Sequence, residues 1–336
     1  MGASAVPKRS PSKDPAVAQT RRAVRRLLEV HVAAGDIGPG ALVFAAVSGG
    51  ADSLALAAAL AWVGPKLGLD AGALTVDHGL QPGSAERADA VAKQCVDLGL
   101  APVFSVTASI LDTGQGPEAA AREARYDALT AVASREEASA IATGHTLDDQ
   151  AETVLLGLAR GSGPRSLAGM AEQSTLRGGL LLRPFLGVTR ATTHAACAAL
   201  GLQPWDDPHN HDRRFARVRV RLEALPALEA ALGPGVTAAL ARTAGLLRDD
   251  ADALDAWADD VAAGDLSVPR LAALPAAVRT RVLRRAVLAA GAPAGAVTAA
   301  HVADVERLVV DWHGQAAVSL PGGLVAERRC DRLSFR

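Results

Sequence analysis

The sequence predicts an α/β fold: a doubly wound parallel sheet followed by a smaller, mostly helical C-terminal domain. Three observations lead there. Short apolar runs without alternation recur from Leu42 onward, as strands buried on both faces require. Longer segments with helical spacing separate them in the βαβα order of a parallel sheet. Beyond about Leu222 the strand-like runs give way to an Ala/Leu/Arg-rich helical pattern, and 336 residues leave room for about two domains.

In chain order, residues 1–17 combine Pro7, Pro11 and Pro15 with Lys8, Arg9 and Lys13 and have no apolar period, so they are expected to be a disordered tail. The strands are expected at 42–47, 72–76, 103–106 and 139–143. Helices are expected at 53–63, 85–98, 118–133 and 147–160, with Pro117 at a first helical position, where its missing N–H costs little. From Gly161 the pattern breaks into GSGPRSLAGM, a short apolar LLLRP and the charged, turn-rich PWDDPHNHDRRF, which read as functional loops rather than core. The first domain is expected over 18–222 and the second over 223–336. The latter is interrupted by GPG at 233–235, Pro269 and Pro275 and ends in a small hairpin around Pro321-Gly322-Gly323.

Composition narrows the function classes. Lys+Arg 35 against Asp+Glu 36 gives a net charge of −1, so any nucleic-acid contact must come from local patches. Lysine occurs only at 8, 13, 66 and 93. The Arg excess suits bidentate phosphate contacts, and genomic base composition accounts for it equally well. The longest apolar stretch, Leu54–Val63, is about half a membrane span, so no membrane association is expected. Cys95, Cys197 and Cys330 form no CxxC pair or disulfide framework, which fits a reducing cytoplasm.

The most informative segment is VFAAVSGGADSLALAAAL. A buried strand runs into Ser48-Gly49-Gly50-Ala51-Asp52-Ser53 and then a helix. Adjacent glycines let the backbone approach an anion, while loop amides and the helix N-terminus supply positive potential. No Lys follows, so this is not the Walker pattern. Asp52 beside phosphates asks for a cation between them, and Mg²⁺ answers that need. Read from spacing alone, the segment is also an ordinary βα turn with Ser53 as a helix cap. Asp77 and His78 close the second strand, where an open α/β sheet binds ligand. In ATGHTLDDQAETVLLGLARGSG, helical spacing puts His145, Asp149 and Glu152 on one face, towards cleft or solvent, and Leu147, Ala151, Val154, Leu155 and Leu158 on the other. Glu118 and Arg122 are spaced as a surface ion pair, leaving Arg125 over. Arg213, Arg214, Arg217, Arg219 and Arg221 form a local phosphate-binding candidate whose competitor is a solvated helix face.

SGGxDS after a first apolar strand resembles the PP-loop of the N-type ATP pyrophosphatases, enzymes with a Rossmann-like sheet that cleave ATP between its α and β phosphates to adenylate a substrate. Within them, Asp77-His78-Gly79-Leu80 and GHTLDDQAET resemble the DHGLR and GHxxDDQxET motifs of the tRNA(Ile)-lysidine synthetase family. LLLRPFLGVTR and DDPHNHDRRFARVRVRLEALPAL resemble two of its later segments, through Asp207, Asn210, Asp212, Phe215, Arg217, Arg221 and Pro226. Gln81, His209 and Val218 depart from the pattern, at the usual Arg, Ser and Asn.

The resemblance implies that ATP·Mg²⁺ adenylates the wobble cytidine of a CAU-anticodon isoleucine tRNA, after which free L-lysine displaces AMP. It implies ATP contacts at Ser48, Gly49, Gly50, Ala51, Asp52, Ser53, Asp77 and Gly144, with Mg²⁺ on Asp52. Catalytic roles fall on Asp52, Arg125, His145, Asp149 and Glu152: Arg125 near the α-phosphate, the two carboxylates on the lysine ammonium, and any of His145, Asp149 and Glu152 as its proton acceptor. Residues 18–222 become the catalytic domain and 223–336 a tRNA-binding domain, with Arg213, Arg214, Arg217 and Arg221 on tRNA. Whether two copies form a homodimer stays open. The rival inside the superfamily is a tRNA cytidine thiolase, which usually needs paired cysteines. A non-catalytic nucleotide sensor is the rival outside it.

Overall fold

The computed structural model describes residues 13–77, 83–107, 117–177, 179–262 and 266–336. His78, Gly79, Leu80, Gln81 and the Glu118 side chain lie outside the described residues. The chain runs α1 (Pro15–Ala34), β1 (Leu42–Ala46), α2 (Ala51–Val63), β2 (Asp70–Asp77), α3 (Ser84–Asp97), β3 (Val103–Thr107), α4 (Pro117–Arg135), β4 (Ala140–Thr143) and α5 (Leu147–Ala159). There follow α6 (Pro164–Leu167), β5 (Gln173–Leu176), β6 (Gly179–Leu182), α7 (Arg190–Leu200), α8 (Ala216–Arg219), α9 (Leu225–Leu232) and α10 (Val236–Ala262). The chain ends with α11 (Val268–Ala272), α12 (Ala276–Ala289), α13 (Ala299–Val310), β7 (Val318–Ser319), β8 (Val325–Arg329) and β9 (Arg332–Phe335).

The strand order of the main sheet is β3-β2-β1-β4-β6-β5, all parallel except β5, which pairs antiparallel with β6. Alternate residues feed opposite faces, the period-two consequence of the pleat. Val43 and Ala45 of β1 join one core with Leu54, Leu56 and Leu60 of α2, Val24 and Leu28 of α1, and Ala196 and Cys197 of α7. Phe44, Leu74 and Ile141 join a second core with Leu129 and Val132 of α4. The sheet is therefore covered on both sides, the doubly wound arrangement that unalternated strands predict. Because the chain leaves β1 in one direction and later returns to β4 on its other side, a crevice opens at the carboxyl ends of these two neighbours.

Three expectations change. Asp14 caps α1 by accepting from the amides of Ala16 (2.8 Å) and Val17 (3.3 Å), and Pro15 takes a first-turn position. Residues 15–17 are thus helical and Val17 is buried, so the tail ends earlier than its proline content suggests. The LLLRP piece is core: Leu180–Leu182 lie in β6, Leu181 and Leu182 are buried, and Arg183 is buried with Nη1 donating to the Ala171 carbonyl at 2.8 Å. A strand this short falls below what periodicity detects. Leu158, expected on the apolar side of its helix, is 51% exposed near the end of α5.

Two compact units divide at Gly245/Leu246, inside α10 and beyond the break that composition suggests near Leu222. The second unit has its own core of Val278, Val282, Leu283, Val305 and Leu308 beside a β7-β8-β9 antiparallel sheet. The expected hairpin around Pro321–Gly323 is β7-β8, to which β9 adds a third strand. Among the described residues no single helix is long and apolar enough to cross a membrane.

Candidate active site

The first half of the site follows β1. Gly49 has φ +89°, a conformation L side chains rarely adopt, and its carbonyl accepts from the Trp205 amide at 2.9 Å. Ser53 closes the loop: its buried Oγ accepts from the Ser48 amide (3.1 Å) and donates to the Gly50 carbonyl (2.9 Å). The Ser53 hydroxyl thus braces the loop, while Ser48 is exposed at its rim. Gly50 caps α2 without a side chain, so the first amides of the helix keep their positive potential for an anion.

The second half follows β4. Thr146 and Asp149 form a capping box at the start of α5. Asp149 Oδ2 accepts from the Thr146 amide (2.8 Å) and hydroxyl (2.9 Å), and Thr146 Oγ1 accepts from the Asp149 amide (3.3 Å). One carboxylate oxygen is thereby spent on the helix and Oδ1 faces the cleft. Gly144 packs against the phosphate loop itself: a Cβ there would lie 2.9 Å from the backbone carbon and oxygen of Asp52 and 3.1 Å from the Ser53 nitrogen. Its glycine is thus required by close approach between the two halves.

Glu152 is fully buried, against the expectation of a cleft- or solvent-facing side chain. Its Oε1 accepts from Arg190 (3.1 Å) and Arg221 (2.7 Å), and its Oε2 from Arg217 (2.7 Å) and Arg221 (3.2 Å). Arg217 and Arg221 are held at this spacing by a helix that widens into a π turn at Val220–Ala224, immediately before Pro226, which has no N–H to donate. The arginine run is therefore divided. Arg217 and Arg221 turn inward, whereas Arg213 pairs with Glu223 and Arg214 with Asp212 at the exposed surface. A buried carboxylate draws the nearest guanidiniums inward, which sequence spacing cannot reveal.

Arg190 and Thr193 went unassigned in the sequence. The Thr193 hydroxyl donates to Asp52 Oδ1, and Arg190 Nε lies 3.7 Å from Asp52 Oδ2. Arg190 Nη2 is 3.0 Å from Asp149 Oδ1, and its amide donates to Asp148 Oδ2 at 2.8 Å. One signal was available: an arginine in the first turn of a helix opposes the dipole and needs carboxylates nearby.

Burial raises the Asp52 pKa, with the charge of Asp149 adding to it, against the Thr193 hydrogen bond and Arg190. Burial would also raise Asp149, but Arg190, Arg217 and the Thr146 amide win and hold it below the usual carboxylate value. His145 is pushed down to about 3, mainly by burial, with Arg183, Arg122 and Arg217 adding to the effect against Asp149. It is neutral at neutral pH, with Nδ1 2.9 Å from Thr143 Oγ1. Arg125 is half-buried beside Tyr126, its guanidinium 5.7 Å from the ring centroid, and burial lowers its pKa. Among the described residues it has no carboxylate partner. Asp77 ends β2 opposite Thr107, one strand from the loop. Cys95 and Cys197 are buried and their thiols pushed up to about 12, so neither is a thiolate at neutral pH.

Residues 21–228 match the PP-loop domain family, and residues 266–334 match the TilS substrate binding domain. A tRNA(Ile)-lysidine synthase of Thermobifida fusca (strain YX) is 59% identical over 314 residues, covering 92% of this chain and 94% of the relative. The chain belongs to the tRNA(Ile)-lysidine synthase family. Synthases of the same name from Streptomyces coelicolor and Mycobacterium tuberculosis are 57% and 46% identical, over 88% and 93% of this chain and 85% and 93% of theirs. The U34-tRNA thiolase NcsA from Methanococcus maripaludis, solved with its [4Fe-4S] cluster, matches with TM-score 0.58 over 70% of this chain and 81% of that one. At 22% identity it shares the fold alone. The lysidine synthase motifs thus meet at one crevice, SGGADS after β1 facing GHTLDDQAET after β4.

Proposed function

We propose that this chain ligates lysine to the wobble cytidine of a CAU-anticodon isoleucine tRNA, forming lysidine through an adenylated cytidine with release of pyrophosphate and AMP. The observation that carries this reading is the meeting of the phosphate loop with the Asp149–Glu152 helix through the Gly144 contact, in a chain with lysidine synthase relatives along most of its length. A ring carbonyl oxygen is a poor leaving group. Adenylation turns it into AMP, which the lysine ε-amine displaces once it has lost its proton.

In this reading the backbone of Ser48–Ser53 holds pyrophosphate, with Asp77 and Gly144 bordering the nucleotide. Arg125 is suited to charge on the α-phosphate, being a guanidinium without a carboxylate partner among the described residues. Asp149 meets the lysine ammonium through Oδ1, and Glu152 is the anchor for the arginines around it. His145, with a pKa near 3, serves as a neutral hydrogen-bonding group. Asp149 is the proton acceptor by position, through the Oδ1 that meets the ammonium, rather than by basicity, since its arginines hold its pKa down. Magnesium fits Asp52. Its carboxylate is one-quarter exposed at the phosphate loop, and burial leaves it in need of a cation. Among the described residues no group of three or more His, Cys, Asp or Glu forms a ready-made cage. A magnesium ion bound through one or two carboxylates and ATP oxygens matches that donor set, and would screen phosphate charge. Arg213 and Arg214 are proposed for tRNA phosphates, with the C-terminal unit on the tRNA body. The setting is the cytoplasm, where tRNA and free thiols coexist. Homodimer formation is not required by this scheme.

The test is incorporation of labelled lysine into unmodified CAU-anticodon isoleucine tRNA with ATP and Mg²⁺, against methionine tRNA. Incorporation into the first alone is expected. ATP cleavage to AMP without lysine incorporation would point to another nucleophile. Asp149→Asn should slow lysine transfer while sparing pyrophosphate release; equal loss of both would refute that division of roles.

A further inference from the structure

Arg190 spans Asp149 and Glu152 of α5 with a single nitrogen, whereas Arg217 and Arg221, which also reach both carboxylates, use two nitrogens each. Its Nη2 lies 3.0 Å from Asp149 Oδ1 and 3.1 Å from Glu152 Oε1. The remaining acceptor positions of Glu152 are taken by Arg217 and Arg221, and Asp149 Oδ2 is committed to Thr146. Asp52, Asp149 and Glu152 carry three negative charges, and Arg190, Arg217 and Arg221 carry three positive ones. A protonated amine arriving here must displace a guanidinium from a site from which most water is excluded.

The three arginines are not equivalent in where they can go. Arg217 also donates to the Asp149 carbonyl (3.2 Å), and Arg221 uses two nitrogens on Glu152. Arg190 alone reaches the phosphate loop, with Nε 3.7 Å from Asp52 Oδ2. A triphosphate on that loop would offer its guanidinium a doubly charged, bidentate acceptor on the Asp52 side, a stronger partner than two shared carboxylates.

We propose that Arg190 is a gate for the lysine ammonium: it competes with the amine for Asp149 and Glu152 and gives way when the phosphates of bound ATP draw its guanidinium towards Asp52, so that nucleotide binds before lysine. The inference rests on the reading of Asp149 as the lysine contact. The order has a chemical use, because the nucleophile is admitted only when the activating group is in place.

The experiment is calorimetric titration of L-lysine into the full chain, with and without Mg²⁺ and α,β-methylene-ATP, whose α–β bridge cannot be cleaved. Lysine should bind at least about tenfold tighter with the analogue, a coupling of ordinary size for linked sites, and lysine should tighten the analogue by the same factor. Arg190→Gln should bind lysine with an affinity that the analogue no longer changes. Equal lysine affinity of the unmodified chain in both conditions overturns the gate, as does absence of lysine binding even with the analogue. These two measurements stand even if Arg190→Gln fails to fold. Asp149→Asn separates the layers. If it abolishes lysine binding while the unmodified chain ignores nucleotide, only the gate fails. If it binds lysine undiminished, the lysine-site reading fails and the gate with it.

Discussion

Gly144→Ala is the sharpest perturbation of the site that leaves every functional group in place. The new Cβ would sit 2.9 Å from the Asp52 carbonyl carbon and oxygen and 3.1 Å from the Ser53 nitrogen, against 3.4–4 Å for ordinary contact. All three atoms are backbone, so no side-chain rotation relieves the clash. The phosphate loop or the end of β4 must move by about 0.5–1 Å. Overpacking of this size costs about 1–3 kcal/mol, which in a chain of this length is a fall of several degrees in Tm. The functional loss should be larger than the stability loss, because a misplacement of about 1 Å in a positioning element costs on the order of 100-fold in rate. Pyrophosphate release with CAU-anticodon tRNA measures it, with Gly38→Ala, which has no heavy atom within 4 Å, as the control. Activity of Gly144→Ala within about threefold of the unmodified chain would refute the argument that this glycine sets the loop's distance from β4.

Other consequences follow from the buried charges. His145 titrates near 3 when folded and near 6.5 when unfolded, so the unfolded state takes up its proton first as pH falls. Stability should therefore drop by about 2 kcal/mol between pH 7.5 and 5 in the unmodified chain relative to His145→Gln, read by urea unfolding; parallel pH profiles would contradict the burial argument. Glu152→Gln leaves three guanidiniums around a neutral amide and should cost about 3–5 kcal/mol in unfolding free energy; a loss below about 1 kcal/mol would show that the arginines re-pair without it. Charge reversal at Arg213 and Arg214 should lower the salt dependence of tRNA binding by about one unit of log–log slope per lost phosphate contact. An unchanged slope would remove this segment from the RNA interface, and lysine affinity should be untouched.

The features legible from residues alone are those whose chemistry is contiguous. The phosphate loop is a strand, a turn and a helix start within one short segment, so its glycines and Asp52 declare themselves together. The same holds for His145, Asp149 and Glu152, whose helical spacing puts them on one face of a single short segment. Strands buried on both faces are legible because their apolar runs do not alternate. The β6 strand was not, since Leu180–Leu182 is short enough to pass for a loop, and helix α1 was obscured by the proline-rich stretch ahead of it.

The sequence by itself therefore determined the parallel α/β class, the phosphate loop and the identity of the reacting family, each a local pattern of size, charge and period. Only the tertiary structure decided which arginines face water and which face Glu152. Arg217 and Arg221 share their segment's composition with Arg213 and Arg214, yet the first pair reaches a carboxylate 65 and 69 residues away and the second pair does not. Arg190 meets Asp52 and Asp149 for the same reason. Sheet order brings β1 beside β4, and α7 packs beside α2, so charges distant along the chain share one desolvated crevice where an unpaired carboxylate would be costly. No local pattern records that neighbourhood.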